Sequence, residues 1–387
     1  MQSGISKKQK TFIFVACFYA FFMNGIVGVS LGSLLPMIKT TYNLDYKVSG
    51  MLLSAHSIGN LVAGYIAGLI PFYLGRKTSI LFLSGSTVLG FLGMVLTGNP
   101  IFLFIAFLLT GIGRGSVSNF DNAIVNETSG GDPKALNLLH SFFAIGAFLV
   151  PFIILGFTKS HLPRWKYSVV LFSLMSLLVV VLFSFMSIEN KKKDKGKAVE
   201  VSYAFLRDLH FWTSTGILFF YLCAEAAING WLVTYFKDTG IISTNIAQML
   251  SSLLWLVILI GRLTCAYLSK IISKRKILLL TSIGTVLFFI SLLSTRNIVM
   301  IIISIIGLGF CMSGIYPTTV ANLGDMIKTT PMAMGMLLSI AGLGAIAMPA
   351  ITGRIAQMAG IFGGMAAITV AVILNFAFSV INYIRQK

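Results

Sequence analysis

Between Gly111 and Pro151 the chain reads GIGRGSVSNFDNAIVNETSGGDPKALNLLHSFFAIGAFLVP, placing an Arg, an Asp, several Asn and a His in otherwise apolar surroundings. An ionisable side chain held in hydrocarbon costs roughly 2.5 to 3.5 kcal/mol, so charge retained there points to a site facing a cavity. At 100° per residue, Arg114, Ser118 and Asp121 fall within about 60° of one helix, with Asn119, Asn122 and Asn126 in the adjoining sector. Two chemistries suit these groups. A carboxylate can load and release a proton, and a guanidinium can hold an anion through two parallel bonds or neutralise a carboxylate such as Glu225. Arg114 stands seven residues from Asp121, about 10.5 Å along the axis, so its partner is expected on another helix. Asn119 and Asn126 suit hydrogen bonds across a helix interface. His140 has an imidazole that titrates near cellular pH, suited to proton exchange or to bonding water at a membrane boundary. Asp121, Glu225 and His140 are therefore the proton-coupling candidates.

A second stripe, Tyr221, Glu225 and Asn229 at i, i+4 and i+8, contains the one Glu in the middle of an apolar run. Asn24, Gly28 and Gly32 form a stripe near the N-terminus, and His56, Asn60 and Gly64 form another. The glycines suit close helix packing, and the amides of Asn24 and Asn60 suit ligand hydroxyls. Trp255 and Arg262 share a face, and Tyr316 precedes Pro317, where a backbone carbonyl is freed. The binding candidates are Asn24, Asn60, Arg114, Asn122, Tyr221, Asn229, Trp255 and Tyr316. Trp231, close to a run's outer end, fits an interfacial anchor.

The elements that must position these groups follow from composition. The 387 residues are 57% hydrophobic and 10% charged, well above the apolar share of soluble domains. A membrane span needs about 20 apolar residues. Twelve such runs are expected, at 11–38, 48–71, 78–97, 100–126, 136–157, 167–188, 210–236, 244–269, 277–295, 297–324, 331–356 and 361–384. The first is too long for a cleavable signal and is expected to remain as a span. The formal charge of +18 sits in short loops between apolar runs rather than on a soluble basic face, which argues for topology and against nucleic acid. Lys7, Lys8, Lys10, Arg76, Lys77, Lys270, Lys274, Arg275, Lys276 and the KKKDKGK run fall on one side, placing both termini in the cytoplasm of a plasma (bacterial inner) membrane. Arg114, Arg262 and Arg354 remain within spans, the last near an outer end from which it can snorkel. Cys17, Cys223, Cys265 and Cys311 are scattered singly, implying neither a metal nor a disulfide. No phosphate-binding loop or soluble catalytic domain is present, so no enzyme activity or cofactor is expected, only an ion gradient of protons or sodium.

The polar stretch 189–208 divides the chain into a bundle at 1–188, a cytoplasmic linker and a bundle at 209–387. An internal repeat supports the division. GIGRGSVSNFDNAIVN from Gly111 lines up with GLGFCMSGIYPTTVAN from Gly307, and PKALNLLHSFFAIGAFLVP from Pro133 with PMAMGMLLSIAGLGAIAMP from Pro331. Gly146/Gly344 and Pro151/Pro349 are shared, whereas Arg114, Asp121 and His140 align with Phe310, Pro317 and Leu338. Packing is repeated and ionisable chemistry is not. Two parallel six-span halves joined by a cytoplasmic linker resemble the major facilitator transporters: all-α integral membrane proteins with twelve helices in two pseudo-symmetric bundles.

The loop between the second and third spans, with Gly68 and Gly75-Arg76-Lys77, is similar to that superfamily's gating motif, with Phe72 at the usual acidic position. Arg262 is placed with this gating group. LNLLHSFFAIGAFLVP and YLCAEAAINGWLVTYF resemble the fucose/proton symporter family and its glucose-transporting relatives. That resemblance implies a sugar taken up with protons by alternating access, at a site between the halves, by a protein functional as a monomer. Asp121, Glu225 and His140 would handle the proton, and Asn24, Asn229, Trp255 and Tyr316 the sugar. A transporter of anionic metabolites or drugs, and a membrane sensor that binds without transporting, are the rival expectations.

Overall fold

The computed structural model describes residues 6–158, 164–188 and 203–385, and no strand occurs among them. Helices α1 (Lys7–Thr41), α2 (Tyr46–Leu69), α3 (Pro71–Leu74), α4 (Arg76–Leu96), α5 (Pro100–Ser129), α6 (Pro133–Thr158) and α7 (Trp165–Phe185) come first. After a 3-10 turn at Ala204–Arg207 follow α8 (Leu209–Thr239), α9 (Thr244–Leu268), α10 (Lys274–Ser294), α11 (Ile298–Ser313), α12 (Ile315–Asn322), α13 (Gly324–Thr329) and α14 (Pro331–Ile384). Most of the basic linker expected at 189–208 lies outside the described residues.

Local chemistry sets the helix ends. Ser6, Asn99, Asp208, Ser243, Ser273 and Asn297 accept bonds from first-turn amides of α1, α5, α8, α9, α10 and α11, using donors that have no intrahelical partner. Gly75, at φ 78°, makes the sharp turn between α3 and α4 that a Cβ would oppose. The expected tenth span is divided: α11 stops at Ser313 and α12 starts at Ile315. Pro317 has no N–H to return to the Ser313 carbonyl, so the helix breaks where the sequence freed that group. The expected eleventh and twelfth spans lie within α14, which departs from helical geometry only at Ala359 and Gly360, the latter at φ 75°. Among the described residues, eleven helical stretches are thus long and apolar enough to cross a membrane, one of them holding two spans.

Contacts divide the chain into two compact units. The first holds residues 1–44 and 55–195. Within it α1 packs on α5, α6 and α7, and α4 packs on α5 and α7. A Cβ on Gly146 of α6 would strike the Phe22 carbonyl of α1, and one on Gly25 of α1 would strike the Phe143 carbonyl of α6, so paired glycines let these backbones touch.

The second unit holds 196–387 together with Asp45–Ser54, the first turns of α2. Within it α8 packs on α9, α12 and α14, and α10 packs on α11, α12 and α14. The α2 segment is seated by several bonds. Tyr46 Oη donates to Asp238 Oδ2 at 2.8 Å, the Tyr46 amide donates to Gln357 Oε1 at 3.1 Å, and Ser54 Oγ donates to the Ile346 carbonyl at 2.6 Å. Trp231, expected as an interfacial anchor, is instead fully buried. Its ring packs by Tyr46 and its Nε1 donates to the Pro349 carbonyl at 3.1 Å, so the indole N–H is satisfied inside protein.

Candidate functional site

In the first unit the polar groups converge on α1, α2 and α5. Arg114 does not run along α5; its guanidinium reaches α1, where a Cβ on Gly28 would lie 3.1 Å from Nε, and it stands over the Phe143 ring at 5.8 Å. Gly28 leaves the room that the guanidinium fills. Arg114 also borders a small cavity with Asn24 and Val27 of α1, Ser84 and Thr87 of α4, and Ser176 of α7. The space open to the centre of a water-sized sphere is about 20 Å³, enough for one water or hydroxyl. Asn24 is 4% exposed, and its Oδ1 has no hydrogen-bond partner among the described residues.

His56 of α2 lies in the field of Arg114. Its Nδ1 is 3.0 Å from Thr110 Oγ1, and that hydroxyl donates to the Phe107 carbonyl at 2.7 Å. The Thr110 proton is therefore committed, which assigns the ring proton to Nδ1 and leaves buried Nε2 as an acceptor without a partner among the described residues.

Asp121 is completely buried in α5. Neither carboxylate oxygen has a conventional hydrogen bond among the described residues, and the neighbouring polar group is the buried Cys17 thiol of α1. No ion pair joins it to Arg114. A carboxylate buried without a cationic partner bears the cost of desolvation uncompensated.

The remaining amides of α5 are used locally. Asn122 Nδ2 donates to the Ser118 carbonyl at 2.7 Å and Asn119 Nδ2 to the Gly115 carbonyl at 2.8 Å. Asn119 thus bonds its own helix rather than a neighbour, and Asn126 is exposed. Asn60 is half-buried against Gly115. His140 is exposed, with its ring edge-on to Phe21 at a centroid distance of 5.0 Å. It does not line the Arg114 cavity.

The loop motif has a clear geometry. The Gly75 turn starts α4 so that Arg76 NH1 meets Glu127 Oε2 at 2.7 Å, clasping the start of α4 to the end of α5. Lys77 is half-buried, and Gly68 has open space where a Cβ would stand. Both partners of the ion pair keep some solvent contact, so its worth is about 1 kcal/mol or less. A double-mutant cycle of Arg76→Gln and Glu127→Gln, read by equilibrium unfolding in micelles, should return a coupling of that size.

In the second unit Tyr221, fully buried on α8, donates from Oη to Glu225 Oε1 at 2.7 Å. Tyr221 and Tyr316 both lie within electrostatic reach of the Glu225 carboxylate and the Arg262 guanidinium. Of the residues singled out from sequence, Tyr221 and Glu225 are joined directly. Trp255 is buried on the helix that carries Arg262, two turns earlier, and Asn229 is half-buried one turn beyond Glu225. Arg354 is exposed near the break in α14.

The sequence profile of the Major Facilitator Superfamily matches residues 13–241 and 215–385. The chain belongs to the major facilitator superfamily. It is accordingly a multi-pass membrane protein with the transporter fold of that superfamily. The chain is similar to the MFS-type transporter YfkL of Bacillus subtilis, 24% identical over 354 residues that cover 88% of each protein. It is also similar to a TsgA homolog of Buchnera aphidicola, 22% identical over 90% of this chain and 89% of that one. Among solved superfamily structures, a point mutant of the nucleoside transporter NupG superposes with a TM-score of 0.80 at 14% identity, covering 97% of this chain and 98% of that one. A D-xylose-proton symporter superposes at 0.76 and 14%, covering 97% of each.

Some site residues carried little signal. Ser84, Thr87, Thr110 and Ser176 are hydroxyls scattered in apolar helices, and Cys17 read only as a lone cysteine implying neither a metal nor a disulfide; only the His56/Asn60 stripe hinted that α2 contributes.

Proposed function

We propose that this chain is a secondary transporter that moves a small polar solute, a sugar, by alternating access, driven by protons loaded on Asp121. The observation that carries the reading is the Asp121 carboxylate, wholly buried in α5 with no hydrogen-bond partner among the described residues beyond the neighbouring Cys17 thiol. A permanent structural charge would need a cation beside it. A transported proton needs a group that is neutral when buried and ionises when reached by water. The Asn24 amide and His56 Nε2 supply acceptors for solute hydroxyls, and the Tyr221/Glu225 pair supplies a second titratable group.

In this reading the gradient is the only cofactor, and the partners are the solute and the bilayer. The protein works as a monomer in the cell membrane with both termini cytoplasmic. The fold relation to a D-xylose-proton symporter is consistent with this reading. Counterflow in proteoliposomes tests it. Labelled sugar should exchange against unlabelled sugar without a proton gradient, and addition of a gradient should drive accumulation. Binding without exchange would support a sensor instead.

A further inference from the structure

Arg262 is a cation within a span, in the last two turns of α9, whose neighbourhood holds a carboxylate that it does not pair with. It stands six residues before the end of α9. Its Nε is buried, and its guanidinium makes no hydrogen bond or ion pair among the described residues. The lipid-facing positions of this turn are Leu263 and Tyr267, both strongly exposed, whereas Ile258, Gly261 and Cys265 on the packed side are buried. The Glu225 carboxylate accepts its hydrogen bond from Tyr221 on the same helix. Tyr221 and Tyr316 lie in the field of both charges.

The arrangement is a guanidinium with its donors uncommitted, two phenols within its field and the buried indole of Trp255 two turns earlier on the same helix. A carboxylate on a solute meets what Arg262 lacks: two acceptor oxygens in the plane of the fork. The phenol of Tyr316 and the ring of Trp255 suit the hydroxylated carbon skeleton attached to it.

We infer that the solute is a sugar acid: a polyhydroxylated monocarboxylate, uronate or aldonate, whose carboxylate is held by Arg262. This rests on the sugar-transport reading above and names the class within it.

The test is counterflow in proteoliposomes with three labelled probes: a neutral aldohexose, the corresponding uronate and the corresponding aldonate. Binding of each to purified protein is read in parallel by thermal shift. For the unaltered protein, at least one acid should exchange with a KM at least about tenfold below that of the neutral sugar and should raise the melting temperature more, since charge-assisted bonds discriminate by one to two orders of magnitude. Arg262→Gln should raise the KM for the acid by about tenfold to a hundredfold, and Arg262→Lys, which keeps the charge and loses the fork, should fall between. Should Arg262→Gln not fold, the lysine variant and the probe comparison on unaltered protein decide. Exchange of the neutral sugar alone, or acid exchange with an unaltered KM in both variants, overturns this inference and leaves the transporter reading standing. Exchange of none of the probes overturns both.

Discussion

Asp121→Asn is expected to abolish gradient-driven accumulation of solute while leaving counterflow intact. The amide has the shape of the protonated acid and can be accommodated by the same neighbours in α1 and α5, but it has no proton to give up. Counterflow needs only binding and interconversion of the loaded carrier, so it survives. Accumulation needs the proton. One charge moved through 100 mV is worth about 2.3 kcal/mol, so losing one coupled proton costs roughly fiftyfold in the accumulation ratio at that potential. The change should also leave stability within about 1 kcal/mol, because it replaces a buried ionisable group with a neutral isostere. Uptake of labelled solute into energised proteoliposomes measures the first, and thermal melting the second. Accumulation at the level of the unaltered protein would remove Asp121 from the coupling role.

The second large effect is expected from a residue without chemistry. Gly146→Ala places a methyl group against the Phe22 carbonyl, where backbone rather than a movable side chain stands in the way. α1 and α6 must then separate or bend, and overpacking of this kind costs about 1 to 3 kcal/mol. Across a unit of this size each kcal/mol lowers Tm by about 2 to 4 °C, so a fall of several degrees is expected. Gly156→Ala is the control: it lies on the same helix with nothing within 4 Å of the added carbon. There the change should be neutral or slightly stabilising, since Ala favours helix over Gly by up to about 1 kcal/mol. Equal losses at the two positions would refute the close approach as the cause.

Gly146 also illustrates what the sequence made readable. Its repeat partner Gly344 occupies the same role, with a Cβ there standing 2.5 Å from the Phe219 carbonyl of α8. Positions shared between the repeats marked backbone contacts because a missing side chain leaves a pattern in any alignment of the halves. Pro317 marked the break between α11 and α12 for a similarly local reason, and the apolar runs delimited the helices because hydrocarbon thickness fixes their length.

Pairing was another matter. Arg76 and Glu127 meet across 51 residues of sequence. Nothing in either segment announces the other, because the contact depends on the turn at Gly75. Ser84, Thr87 and Ser176 border a cavity, yet a hydroxyl in an apolar helix usually bonds its own preceding carbonyl, as Ser84 and Ser176 do. The residue type is therefore the same whether the face is dry or wet. Asn119 was misread for this reason: its amide is satisfied within one turn. Trp231 was misread because position along a span locates a residue in depth, and burial depends on direction.

The seating of Asp45–Ser54 among 196–387 has a consequence for dissecting the protein. Gly50 lies so close to α14 that an added Cβ would be 2.6 Å from the Pro349 carbonyl, and Leu53 fills the space beside Gly230. A C-terminal half expressed by itself from residue 196 would lack the ten-residue piece that packs against Trp231 and Gly353 and whose Ser54 bonds the Ile346 carbonyl. Such a fragment would be incomplete in the sense of a lock missing one wafer, and complementation by the N-terminal fragment would have to begin by returning that piece.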